Sequence, residues 1–329
     1  MKIIVIGLGS MGKRRIRLLT EKKEIELFGI DSNKERCKEV SEQYAITCYS
    51  NIAEACEKEG VEAAVISTSP LSHASIINEC LYRGLHVFTE INLVSDMYDS
   101  NIALAKEMDK VLFLSSTFLY EEDTRTIIER LKGKSSRTNY IYHVGQYLPD
   151  WHPWENYKNF FIGDKRTNGC REILAIDLPW IIEAFGNIKN IHVMKSKNSS
   201  LNIDYDDNYI IMIEHEAGAK GVFAVDVITR KPIRHFEAYS EDQHIIWDGD
   251  AESLYEWSNE TKEMIKIQPT EAIERVAGYA DFISENPYRL ELNAFLQQIS
   301  DPAVKPVWNF ERDKSLLSWI DKIEDYGAL

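Results

Sequence analysis

Lys2-Ile3-Ile4-Val5-Ile6-Gly7-Leu8-Gly9-Ser10-Met11-Gly12 sets a β-branched, apolar run directly against a G-x-G-x-x-G turn. Lys13-Arg14-Arg15-Ile16-Arg17-Leu18-Leu19 then has the composition of a helix. Strand, glycine turn and helix come in the order a dinucleotide site requires. Gly7 makes the tight turn, Gly9 lets the backbone approach a pyrophosphate, and Gly12 lets the helix close on the strand. Ser10 and Met11 fall at the helix N-terminus, whose free N–H groups suit phosphate. Glycine turns end many buried strands, so the motif gains weight from a second strand at the right distance. Glu26-Leu27-Phe28-Gly29-Ile30 is that strand, ending on Asp31-Ser32, about 20 residues beyond the glycines. A carboxylate there accepts from ribose hydroxyls and repels a 2′-phosphate, which favours NAD. Lys34 and Arg36 leave NADP open, and the alternative role for Asp31 is to cap the helix at Asn33-Lys34-Glu35.

The 329 residues exceed one ordinary core, so two domains are expected. A hydrophobic share of 44% and a charged share of 28% describe a soluble globular chain. No apolar run approaches the roughly 20 residues that cross a bilayer, and a strand at the N-terminus leaves no room for a signal peptide. The net charge of −15 is spread along the chain and opposes nucleic-acid binding. The densest basic cluster, Arg14, Arg15 and Arg17, is explained as well by an exposed helix face as by a ligand. Cys37, Cys48, Cys56, Cys80 and Cys170 have no metal-site spacing, and their odd number suggests reduced thiols in the cytoplasm. No set of His, Cys and carboxylates has metal-ligand spacing, and nothing suggests a Ser-His-Asp triad.

Short apolar strands alternate with amphipathic helices as far as Phe118: near Ile46–Tyr49, Ala63–Thr68, His86–Thr89 and Val111–Ser115, with Ser50 capping a helix that Gly60 ends. This predicts a doubly wound parallel sheet over residues 1–118. From 119 to 329 the pattern changes. A helix over about Glu121–Leu131, a strand at Asn139–Val144, an aromatic-rich loop and a helix over about Arg171–Phe185 precede a run of strands from Ile191 to Ile267. Strands without intervening helices predict a large, mostly antiparallel open sheet in an α+β domain. Helices at about Asn286–Ile299 and Phe310–Asp325 close the chain.

The chain resembles the Gfo/Idh/MocA oxidoreductases, the family of glucose–fructose oxidoreductase and inositol dehydrogenase. The resemblance rests on Gly7 to Gly12, on Ile66-Ser67-Thr68-Ser69-Pro70 with His73, on Gly84 to Glu90, and on the Asn168-Gly169-Cys170 turn opening a helix. It implies NAD or NADP at the first domain, held by Gly7, Gly9, Ser10, Met11, Gly12, Asp31, Ser32, Ser67, Thr68, His73 and Glu90. It also implies hydride transfer to or from a sugar, sugar nucleotide or polyol, and a homodimer or homotetramer built on the open C-terminal sheet. Two departures stand out. The family's E-K-P tripeptide falls on Glu90-Ile91-Asn92, and its paired Asp and His fall on Glu172 and Ile176; shifting the register by one puts Asp177 in place of an acid. Isoleucine cannot exchange the hydroxyl proton that carbinol chemistry requires.

The loop Gln146-Tyr147-Leu148-Pro149-Asp150-Trp151-His152-Pro153-Trp154-Glu155-Asn156-Tyr157 supplies substitutes. Flat rings suit a sugar's C–H faces, and Tyr147 and His152 are the candidate acid/base groups, His152 because imidazole titrates near neutrality. The alternative is a loop packed over the sheet or on a second subunit. Glu172 either keeps the family's role of orienting cofactor or substrate, or only complements the helix dipole. Arg171 holds an anion or solvates the first turn, Lys165 and Arg166 read as solvated charge, His143 as buried structure, and His73 alternatively as a helix cap. Two functions are open: an NAD(P)-dependent oxidoreductase with non-standard acid/base groups, or a non-catalytic nucleotide-binding protein of the same fold.

Overall fold

The computed structural model describes residues 1–134, 137–151, 156–270 and 284–327. They form two compact units, the first made of Met1–Thr117 and Tyr288–Ser315, the second of the remainder.

In the first unit the chain runs β1 (Lys2–Ile6), α1 (Ser10–Thr20), β2 (Glu26–Ile30), α2 (Lys34–Tyr44), β3 (Thr47–Tyr49), α3 (Ile52–Glu59), β4 (Ala63–Ile66), α4 (Pro70–Tyr82), β5 (His86–Thr89), α5 (Tyr98–Glu107) and β6 (Leu112–Leu114). The sheet order is β3-β2-β1-β4-β5-β6, every pair parallel. Helices cover both faces, which is why Ile3, Ile4 and Val5 are all fully buried although neighbours point to opposite sides. The cap of α3 is Asn51 rather than Ser50: its side chain accepts from Glu54 N at 2.9 Å, while Glu54 reaches back to Ser50.

Arg14 and Arg15 do not lie on an exposed face. They are 3% and 0% exposed. The Arg15 guanidinium donates from Nε to Glu90 Oε1 at 2.7 Å, and from Nη2 to Glu90 Oε2 at 2.8 Å and Glu291 Oε1 at 2.6 Å. It stacks on Phe88, 4.6 Å from the ring centroid. Glu291 lies on α8 (Asn286–Ser300) and also accepts from Ser115 Oγ and Ser116 N. Phe295, one turn further on, packs edge-on against Phe88 and Phe113. Residues 288–315, expected with the second domain, thus complete the core of the first unit.

The second unit holds α6 (Glu122–Leu131), β7 (Asn139–Gly145), α7 (Gly169–Phe185), β8 (Ile188–Ser196), β9 (Asn208–His215), β10 (Lys220–Asp226), β11 (Ile233–Tyr239), β12 (His244–Trp247), β13 (Tyr255–Ser258) and β14 (Glu263–Lys266); the last helix of the chain, α9, is Phe310–Glu324. The eight strands lie in the order β14-β13-β12-β11-β7-β10-β9-β8. All pairs are antiparallel except β7 with β10. The exception arises from the path: the chain leaves β7 through α7, returns at the edge, and steps inward to reach β7 from the other side. One face is covered by α7, whose Trp180 and Phe185 pack on Tyr142, Phe236 and Tyr140. The opposite face carries exposed Ile141, Met194, Ile210 and Met212.

Burial pulls the Arg15 charge down, and the carboxylates of Glu90 and Glu291 more than offset this. An Arg15→Met variant leaves Glu291 dry and without its cation, and is expected to lose about 3–5 kcal/mol in urea denaturation. Adding Glu291→Gln should recover part of the loss. A cost below about 1 kcal/mol for the single variant would contradict a shared buried charge.

Candidate active site

The loops at the carboxyl ends of the first unit's strands are held in a row by backbone bonds that continue the sheet. Gly7 N donates to Ile30 O, Ser67 N to Ile6 O, Glu90 N to Ile66 O and Ser115 N to Thr89 O, at 2.8–3.0 Å. Strand order reverses between β1 and β4, so Gly7 and Ser67 flank the switch point where such sheets bind ligands. Gly7 has φ +90°, and a Cβ there would stand 2.6 Å from Ser67 O. A Cβ on Gly12 would stand 1.9 Å from Gly7 O, so no larger residue lets α1 approach the strand this closely. Beside Gly9 the space is open, with nothing within 4 Å of an added Cβ. No side chain caps α1 at Gly9 and its first turn holds no acid, leaving the helix dipole directed at that space. The cradle fits a dinucleotide pyrophosphate.

Asp31 is not the cap of α2. Asn33 takes that role, accepting from Glu35 N and Arg36 N. Asp31 accepts instead from Leu8 N and Asn33 N, both at 2.7 Å, and ties the glycine turn to the end of β2. Each carboxylate oxygen retains a second acceptor site suited to a ribose hydroxyl. Arg36 stands 3.8 Å from it and is half exposed. Ser10 and Ser32 are exposed and Met11 is half-buried. Ser67 Oγ donates to Glu90 Oε1 at 3.3 Å, and Thr68 Oγ1 accepts from Ser72.

His73 lies inside α4 and does not cap it. Its ring is 1% exposed, with Nε2 3.0 Å from Thr68 O and Nδ1 2.8 Å from the Asn92 side-chain amide. Thr68 O and Asn92 Oδ1 both accept, while burial pushes the imidazole pKa down and favours the neutral ring, which donates to one of the two at a time. His73 therefore braces the Ser67–Pro70 turn against the segment after Glu90 and has no nitrogen to spare for a cofactor. Between Glu90, held by Arg15, and Asn92, held by His73, Ile91 is half-buried.

In the second unit, Asn168 caps α7 by accepting from Arg171 N at 2.8 Å. Arg171 neither faces solvent nor waits for an anion: it is buried and paired with Glu324 and Asp321. Lys165 and Arg166 are exposed. Gly169 seats the aromatic loop, since a Cβ there would lie 2.9–3.4 Å from Val227, Leu148 and Trp151. The loop is pinned to β10's continuation by Gln146 N to Asp226 O and Leu148 N to Val227 O. Between those anchors Tyr147 lies under the Arg230 guanidinium, 3.6 Å from its ring centroid. His152 lies outside the described residues. Among those described, no hydrogen bond joins Tyr147 to Glu172.

Glu172 stands in the first turn of α7, with Oε2 buried and no hydrogen-bond partner. Burial pushes its carboxyl up to about 8, so at neutral pH it holds a proton it can exchange. His143 is half-exposed rather than buried, and binds Asp226 Oδ2 at 2.8 Å. His215 lies between Gly186 O and Tyr140 Oη, and His235 pairs with Asp248, partners that no spacing announced. A cluster also missed in the sequence is Arg234 with Asp177 and Tyr142: its Nη1 donates to both, and Asp177 is fully buried.

Residues 1–116 match the Gfo/Idh/MocA family, described as an oxidoreductase family with an NAD-binding Rossmann fold. The first domain is an NAD-binding Rossmann domain, and over those residues the chain matches that family. A curated relative, 4-carboxy-2-hydroxymuconate-6-semialdehyde dehydrogenase of Sphingobium sp. (strain NBRC 103272 / SYK-6), is 28% identical over 111 residues. That match covers 33% of this chain and spans 35% of the relative's length. UDP-N-acetylglucosamine 3-dehydrogenase GnnA from Acidithiobacillus ferrooxidans has a similar structure, with TM-score 0.74 and 15% identity over 98% of this chain and 96% of that one. So does myo-inositol 2-dehydrogenase from Lactobacillus plantarum, with TM-score 0.78 and 12% identity over 99% and 96%. At these identities the likeness shows the two-domain fold.

The unfolded Glu172 carboxyl titrates near 4.5 and the folded one near about 8, so between these values the native state binds the extra proton and loses stability as pH rises. Glu172→Gln mimics the protonated acid. Its stability relative to the parent should climb from near zero at about pH 4.5 to on the order of 1–3 kcal/mol at pH 8. Thermal unfolding at both ends of that range checks it, and a difference independent of pH contradicts a dry carboxyl.

Proposed function

We propose that the chain is an NAD-dependent oxidoreductase acting on a sugar, sugar nucleotide or related polyol, with proton exchange assigned to the second domain instead of a lysine after Glu90. The observation that carries this is the glycine turn at the β1/β4 switch point, open at Gly9 and closed at Gly12, with Asp31 bonded to it. Gly7, Gly9 and Gly12 hold the pyrophosphate and Asp31 the adenosine ribose, with NADP left open by Arg36. Bound NAD supplies the hydride acceptor, or NADH the donor.

Glu172 is the group assigned to move the proton, because burial of its unpartnered Oε2 goes with a carboxyl pushed up to about 8. Tyr147 offers a hydroxyl donor and a ring face for a sugar. The aromatic loop around it, His152 included, is assigned to substrate. Ile91 supports a second reading, a nucleotide-binding protein without turnover, since it puts an apolar side chain where the family has its lysine. The exposed apolar row Ile141, Met194, Ile210 and Met212 supports a homodimer or homotetramer joined at the open sheet face. Free thiols at all five cysteines suit a cytoplasmic protein.

Calorimetric titration with NAD and NADP, then turnover against a panel of sugars and polyols, tests the assignment. Asp31→Ala is expected to weaken NAD at least about tenfold, roughly 1.4 kcal/mol, and NADP less. Unchanged NAD affinity in this variant counts against the nucleotide assignment. Tight cofactor binding without turnover on any substrate favours the second reading.

A further inference from the structure

The geometry points to a carboxylate-binding site at Arg234, and hence to an acidic substrate, such as a sugar acid, within the oxidoreductase reading above. Arg234 is the second residue of β11 and sits opposite Val144, three residues before Tyr147. Its side chain shares the sheet face of Phe236 and Tyr142, the face that α7 covers. Nη1 is committed, donating to Tyr142 Oη and to Asp177 Oδ1. Among the described residues Nε and Nη2 have no hydrogen-bond partner, while the side chain stays 22% exposed. Those two nitrogens form one edge of the fork, whose parallel donors match the two oxygens of a carboxylate.

The guanidinium is aimed by its surroundings. Its carbon lies over the Phe118 ring, 4.4 Å from the centroid. Gly249 leaves room for the stem: a Cβ there would stand 2.9–3.2 Å from Arg234 Cβ, Cγ and Cδ. Asp177 anchors the inner side and partly offsets the charge, yet its Oδ2 is buried with no partner, so the pair retains an acceptor for a neighbouring hydroxyl. Arg230 and Lys231 precede the strand, both exposed, and neither pairs with a carboxylate among the described residues. An arginine serving only to neutralise Asp177 needs no free outer edge.

The test uses the full chain saturated with NAD at constant ionic strength. Acetate, D-glucuronate, D-glucose and inorganic phosphate are titrated by calorimetry and thermal shift against the parent, Arg234→Lys and the neutral pair Arg234→Gln/Asp177→Asn. The expected result is binding of acetate and, more tightly, of glucuronate, with glucose weak. Arg234→Lys, which keeps the charge and loses the fork, should weaken glucuronate at least about tenfold, ~1.4 kcal/mol. The neutral pair, which keeps the inner hydrogen bonds, should abolish it. Equal binding of glucose and glucuronate by the parent overturns the proposal, as does phosphate binding without carboxylate binding. Glucuronate affinity that survives in a folded variant overturns it too. NAD titrated in the same samples separates the two readings: lost NAD binding defeats the oxidoreductase assignment, whereas NAD binding without carboxylate binding defeats this site alone.

Discussion

α1 lies against the end of β1 so closely that the Gly7 carbonyl occupies the place a Gly12 side chain would take. Much else in that unit depends on it. The helix starts hard against the strand, its N-terminal N–H groups open onto the β1/β4 switch point, and among the described residues nothing stands within 4 Å of a Cβ added at Gly9. Asp31 then holds the turn from the far side through Leu8 N. A pyrophosphate site is what remains when a helix N-terminus, an open backbone and a reversal of strand order coincide.

The glycines and the strand pattern were legible because each rests on local chemistry. Burial on both faces makes parallel strands continuous in apolar residues, and their alternation with helices implies the doubly wound parallel sheet. Arg15 was not legible. In Lys13-Arg14-Arg15-Ile16-Arg17 nothing local distinguishes a solvated arginine from one buried between carboxylates, and Glu291 lies 276 residues away. That ion pair places residues 288–315 in the first unit, where composition had grouped them with the second. His73 illustrates the same limit: a motif position names the residue, but its partners Thr68 and Asn92 decide that it braces loops.

In the second unit the sheet was legible from its strands, and its single parallel pair was not, because the path through α7 and the edge strands decides it. The candidate chemistry was half legible. Glu172 was named from a resemblance, while its raised pKa comes from burial that no spacing encodes. Arg171 and Arg234 look alike in sequence and differ in three dimensions: the first is closed by Glu324 and Asp321, and the second keeps an edge open.

A dinucleotide site of this shape, on the reading proposed here, serves hydride transfer without the family's lysine. The most direct measurement is isotope transfer: the protein is incubated with NADH deuterated at C4 and a panel of carbonyl sugars and sugar acids, and the products are weighed by mass spectrometry. Hydride transfer predicts one deuterium on the carbinol carbon of at least one product. NADH that binds yet keeps its label against the whole panel would contradict it.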